Sequence, residues 1–215
     1  MACRRKNGDP KTVSNNTTLE VIKTQADQVN TPSDALRALI EGNKRYLNGQ
    51  FVHVHIKRLT DESIDKENPF VAVLACNDLR IPPEILFDVD KDNILLIKTD
   101  ANIENDSTLA ILQDAVKNKK IKMVLVLGHE DCPALRSIVS STDKNDSGFR
   151  KIESSISLDE MTGKPLFNKT SLMSALNTAR RIAKSITKMD SSIPAGNLIV
   201  KAAVYEEAKK QLHFE

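Results

Sequence analysis

The chain has 215 residues, 40% of them apolar and 28% charged, with a formal net charge of +2. That length can bury a sizeable core and suits one domain, and lysines interspersed with acids describe a solvated surface, which speaks against nucleic acid as a partner. No stretch is apolar enough for a membrane span, and three cysteines, Cys3, Cys76 and Cys132, make no disulfide framework.

Residues 1–30 are polar and rich in Asn, Thr and Lys, and read as a flexible N-terminal segment ahead of a single α/β domain over 31–215. The opening "MACRRKNGDP" leads into no apolar run, so the expected compartment is the cytoplasm. The alternative is an exported or organellar protein whose targeting segment is absent from this sequence. Cys3 reads as a free thiol of the tail. "TPSDALRALIEGNKRYLNGQF" then predicts a helix capped by Ser33 and stopped by Gly49, with Leu36, Leu39, Ile40 and Leu47 on one face. Residues 51–68 read as irregular, and His53 and His55 within them as surface histidines.

Three short runs follow, Val71–Ala75, Ile94–Ile97 and Met123–Leu127. Each is continuous in apolar residues rather than alternating, the pattern of strands covered on both faces in a parallel sheet. Between the second and third, Leu109, Leu112 and Val116 share a helical stripe, which makes a βαβ crossover. "CPALRSIVSS" starts another helix with Pro133 in its first turn. Residues 141–167 read as loop and short helix, "SLMSALNTARRIAKSI" as an amphipathic helix, and "GNLIVKAAVYEEAKKQLHFE" as a strand hairpin completing the sheet. The expected fold is α/β: a central, mostly parallel β-sheet flanked by helices, with an N-terminal helical arm.

Cys76 lies just past the end of the first strand, and "GHEDC" places His129 and Cys132 past the end of the third. Ligands of open α/β sheets gather beyond the carboxyl ends of the strands, so these three side chains can converge. Two thiolates and an imidazole suit Zn²⁺, and three protein ligands leave a fourth tetrahedral position open, as in catalytic zinc sites. Asp78 and Arg80 alternate with Cys76 on the same strand end.

"CNDLR" and "GHEDC" resemble the Cys-x-Asp-x-Arg and Gly-His-x-x-Cys motifs of β-class carbonic anhydrases. "EGNKRYLNG", "PPEILFD" and "KMVLVLGH" are similar to neighbouring segments of that family, so the likeness runs over residues 31–140 and extends to "AAVY" near the end. The resemblance implies a zinc enzyme, a lyase that hydrates carbon dioxide reversibly to bicarbonate and a proton. Cys76, His129 and Cys132 would hold the metal, and Asp78 and Arg80 would form the catalytic dyad. In that dyad Asp78 accepts the proton of the nucleophile and Arg80 keeps Asp78 ionised and in place. In some members the aspartate itself closes the zinc site. The resemblance also implies a homodimer or a tetramer of dimers, with the N-terminal helix packed on the partner.

Four positions depart from the family pattern: Glu67 replaces a glutamine, Ala101 a glycine, Pro133 a glycine and Leu79 a serine. None is a ligand or a member of the dyad. Hydrolysis of carbon disulfide or carbonyl sulfide on the same fold, and a zinc protein without catalysis, are the alternatives that these departures keep open.

Overall fold

The computed structural model describes residues 29–52, 68–119, 121–141, 143, 145–153, 164–189 and 196–215. A five-stranded sheet forms its centre, in the order β2 (Ile94–Thr99), β1 (Val71–Cys76), β3 (Met123–His129), β4 (Ile199–Glu206), β5 (Gln211–Phe214). Strands β2, β1, β3 and β4 pair in parallel, and β5 returns antiparallel to β4 as a hairpin. Every residue of β1 and β3 is buried, as continuous apolar runs in a doubly covered sheet require.

Side chains alternate strictly between two cores. Val71, Val73 and Ala75 with Met123, Leu125 and Leu127 face α1 (Pro32–Leu47) and α2 (Pro83–Leu86), where Leu39, Leu86 and Phe87 meet them. Ala72 and Leu74 with Val124 and Val126 face α3 (Asp106–Asn118) and α6 (Lys164–Met189), where they meet Leu112, Ala115 and Ile182. α3 is the crossover from β2 to β3. Its Leu112 and Val116 are buried as the stripe predicts, and Leu109 is partly buried against the same core. The short helices α4 (Pro133–Val139) and α5 (Ser147–Glu153) follow β3. α6 is longer than the sequence pattern suggests, starting at Lys164 rather than Ser171.

Two expectations about α1 are corrected. Its cap is Thr31, not Ser33: Thr31 Oγ1 accepts from the Asp34 N–H at 3.1 Å, and the Asp34 carboxylate accepts from the Thr31 N–H at 3.0 Å. Pro32 starts the helix, where its missing N–H costs nothing, which leaves Ser33 inside the first turn. Of the expected stripe, Leu39 is fully buried and Leu36 packs partly against the core, but Leu47 is 44% exposed, and the buried face is completed by Ala35, Ala38, Gly42 and Asn43. The small residues win because α1 lies against backbone. A Cβ on Gly42 would stand 1.6 Å from the Phe87 carbonyl oxygen, so only glycine fits. Asn43 Nδ2 donates to the Leu86 carbonyl at 3.0 Å, and Arg45 Nε to the fully buried Asp88 carboxylate at 2.5 Å, which completes the seam.

After β2 the chain makes a single 3₁₀ turn, Asp100–Asn102, in which Ala101 is left-handed at φ 52°, ψ 27°. The buried Glu104 anchors this turn. Burial raises its pKa, but the Arg181 fork at 2.7 and 3.1 Å, with Lys151, overcomes this and holds the carboxylate below its usual range. A left-handed alanine is strained by about 1–2 kcal/mol, and glycine is free of that strain. Ala101→Gly is therefore expected to stabilise the fold by about 0.5–1 kcal/mol net of the extra unfolded-state entropy, seen as a rise of about 1–4 °C in the thermal midpoint by calorimetry.

Candidate metal centre

Because β1 and β3 pair in parallel with Ala75 opposite Leu127, their carboxyl ends finish side by side. Cys76 is the last residue of β1 and His129 the last of β3. A two-residue turn through Asp131, at φ 49°, then brings Cys132 back to the same point as the N-cap of α4. The ligating atoms of Cys76, His129 and Cys132 all lie within 4.8 Å of one another, and all three residues are buried. The two sulfurs are 3.6 Å apart. Sulfurs held ~2.3 Å from a tetrahedral zinc stand about 3.8 Å apart, so this spacing fits such an ion.

The hydrogen bonds suit a metal as well. The His129 Nδ1 lies 2.9 Å from the Glu130 carbonyl oxygen. A carbonyl only accepts, so Nδ1 carries the proton and Nε2 presents its lone pair. That buried Nε2 has no hydrogen-bond partner among the described residues, which is costly unless something binds there. The Cys132 thiol beside it, then the His129 ring and the N–H groups of Asp78 and Ala101, lower the pKa of Cys76 to about 4 against the opposing effect of burial. Cys132 is pushed up, first by Cys76 and then by its own burial, while its sulfur accepts from the Leu135 N–H at 3.4 Å. The pair thus holds one thiolate by itself, and a cation would draw out the second proton. Ala101, Ile103, Leu135 and Ile152 pack around the sulfurs and keep that side dry. The turn that carries Ala101 therefore serves the site directly, since the Ala101 N–H is one of the groups that favour the Cys76 thiolate.

Asp78 and Arg80 stand at the open side. Arg80 Nε and Nη2 grip the Asp78 carboxylate at 3.1 and 2.7 Å, and the Arg80 backbone N–H adds a third donor at 2.9 Å. These bonds from Arg80 hold the Asp78 pKa down to about 2. Asp78 Oδ2 is 4.0 Å from His129 Nε2, so the carboxylate faces the three-ligand cluster without joining it. A cavity of about 560 Å³ opens beside Arg80, lined also by Asp131, Pro133, Arg136, Ser137 and Ser140.

All five residues singled out in the sequence thus meet at one place. The Pro133 departure is absorbed because it is the first residue of α4, where no N–H is needed. Leu79 points out to solvent between the members of the dyad, 90% exposed. Glu67, His53, His55 and Cys3 lie outside the described residues. Sequence reasoning missed Glu207, whose Oε2 accepts from Arg80 Nη1 at 3.0 Å. No local pattern in the sequence marks it; the pairing of β4 with β3, which ends at Tyr205 opposite His129, places it there.

A family model described as carbonic anhydrase matches residues 71–211, more than half of the chain. The carbonic anhydrase of Mycolicibacterium smegmatis is 26% identical over 186 residues, covering 82% of this chain and 90% of that protein. Carbonic anhydrase 2 of Mycobacterium tuberculosis is 26% identical over 117 residues, 51% of this chain and 54% of that one. Among solved structures, the β-carbonic anhydrase CcaA superposes with a TM-score of 0.61 at 17% identity, over 84% of this chain and 87% of its own. One of two tetrameric β-carbonic anhydrases from Sordaria macrospora gives 0.60 at 13% identity, over 93% and 96%. Motifs, sheet topology and relatives converge, and the chain belongs to the carbonic anhydrase family, in its β class, as one of that family's enzymes.

Proposed function

We propose that the chain hydrates carbon dioxide reversibly to bicarbonate and a proton, with zinc held by Cys76, His129 and Cys132. The observation that carries this reading is the ionised Asp78 carboxylate, fixed by Arg80 and facing three converging soft ligands across 4.0 Å. Zinc, when bound, supplies the Lewis acidity that lets water act as a nucleophile near neutral pH.

The residues of the chain do the rest. Asp78 is acceptor-only when ionised. Arg80 grips both carboxylate oxygens along one edge, and Oδ2, which also faces the cluster, keeps a second lone pair that can accept the O–H of the nucleophile and so orient the lone pair that attacks carbon. The guanidinium also blocks rotation of Asp78, which makes the pair act as one unit. The apolar packing behind the sulfurs excludes competing water and strengthens each of these interactions. The second residue of the pair must be arginine for this, since a lysine ammonium cannot span both carboxylate oxygens.

The subunit is read as part of a homodimer. Leu79, at 90% exposure beside the dyad, and the half-exposed Leu47 and Phe51 at and just past the end of α1 are apolar side chains that a second copy would cover.

Elemental analysis of the purified protein is expected to give about one zinc per chain, and Cys76→Ser or His129→Ala to lose it. Full metal occupancy in both variants would refute the ligand set. Asp78→Asn is expected to keep zinc and fold but to lower kcat in a stopped-flow carbon dioxide assay by about 10²-fold or more. Its amide cannot take the proton. Native turnover in zinc-replete Asp78→Asn would show that Asp78 has no such part. Sedimentation velocity at micromolar concentration should show a dimer or a larger even assembly, and a lone monomer would rule out the homodimer.

A further inference from the structure

We propose that Glu207, in the turn between β4 and β5, is a positioning residue for the Asp78–Arg80 pair. It rests on the reading that Asp78 handles the proton.

Asp78 and Arg80 are two residues apart, so their ion pair is local. A local pair can swing as one body on the exposed turn that carries it, and Leu79 gives that turn no apolar anchor. Asn77, tied to Thr99 and Asp100, and the buried Ile81 hold the backbone on either side, so the exposed guanidinium is fixed by ties of its own. Among the described residues, the Arg80 guanidinium has two such ties: Nη1 donates to Glu207 Oε2 at 3.0 Å, and Nη2 to the Asp131 carbonyl at 3.4 Å. The first is the shorter, is charge-assisted, and acts on the edge opposite Asp78.

The fold brings Glu207 there by register. Tyr205 pairs with His129, and the Glu130 N–H donates to the Tyr205 carbonyl at 3.0 Å, so β4 ends level with the metal ligands and its next turn overhangs them. The neighbouring Glu206 points elsewhere and is taken up by Lys209 and His213. Arg80 is thus clamped by three segments: the end of β1, the turn after β3 and the turn after β4. Arg80 and Glu207 are 42% and 51% exposed, and pairs so exposed add little to stability. Their value lies in orientation, because small misplacements of a reacting group cost rate heavily.

The test uses the full-length, zinc-loaded protein and two readouts. In the carbon dioxide assay, Glu207→Ala should lower kcat about 3- to 10-fold with KM, zinc content and thermal midpoint unchanged. Glu207→Gln should lose less, because its amide oxygen still accepts. In an Arg80→Ala background, Glu207→Ala should have no further effect. By ¹⁵N NMR, the Arg80 Nε–H, assigned by its absence in Arg80→Lys, should exchange with solvent several-fold faster in Glu207→Ala. Native exchange in Glu207→Ala, or a full loss of kcat persisting without Arg80, would overturn the proposal. If Asp78→Asn instead turns over like the native protein, the functional reading fails, and the Arg80 exchange rate still decides whether Glu207 holds it.

Discussion

The parallel pairing of β1 with β3 is the constraint on which the site depends. Cys76 and His129 are far apart in sequence, and only this register makes their strands finish at the same level. Once they do, the turn to α4 has a single task, to bring Cys132 back within reach, and a left-handed Asp131 accomplishes it. The pairing is secured by two apolar cores, one on each face of the sheet, so a one-residue slip would swap the side chains that fill the two cores.

Around that fixed point the chemistry divides by depth. The sulfurs and the imidazole are buried, and their electrostatics are set by each other and by backbone N–H groups. The dyad lies further out, where the Arg80 fork rather than burial sets the charge of Asp78. A dry donor set beside a wetter acid–base pair allows the cluster to be rigid while the carboxylate remains accessible to a proton. The tie from Glu207 extends the same logic outward, with an exposed residue controlling geometry rather than stability.

The departures from the family pattern that the structure describes are accommodated without moving the ligands. Ala101 keeps the left-handed backbone that glycine would adopt freely, and the buried Glu104–Arg181–Lys151 cluster holds the following residues in place. Pro133 occupies the one helical position that needs no donor. Leu79 faces solvent and leaves its neighbours free to pair.

The sequence by itself determined the strands, the crossover, the C-terminal hairpin and the three ligand types, because each is written in local pattern: unbroken apolar runs, a helical stripe, closely spaced Cys and His; Asp78 and Arg80 were legible as a pair through the motif that resembles the family's. It misplaced the cap of α1 because serine and threonine there compete for the same role, and the proline between them decides only through backbone geometry. It placed Leu39 on the inner face of α1 correctly but passed over Ala35, Ala38 and Gly42, since hydrophobicity ranks side chains and close approach to the Phe87 carbonyl selects for small ones. Glu207 was invisible among many charged residues. Its position over Arg80 follows from strand register, a long-range relation between segments that tertiary packing alone establishes.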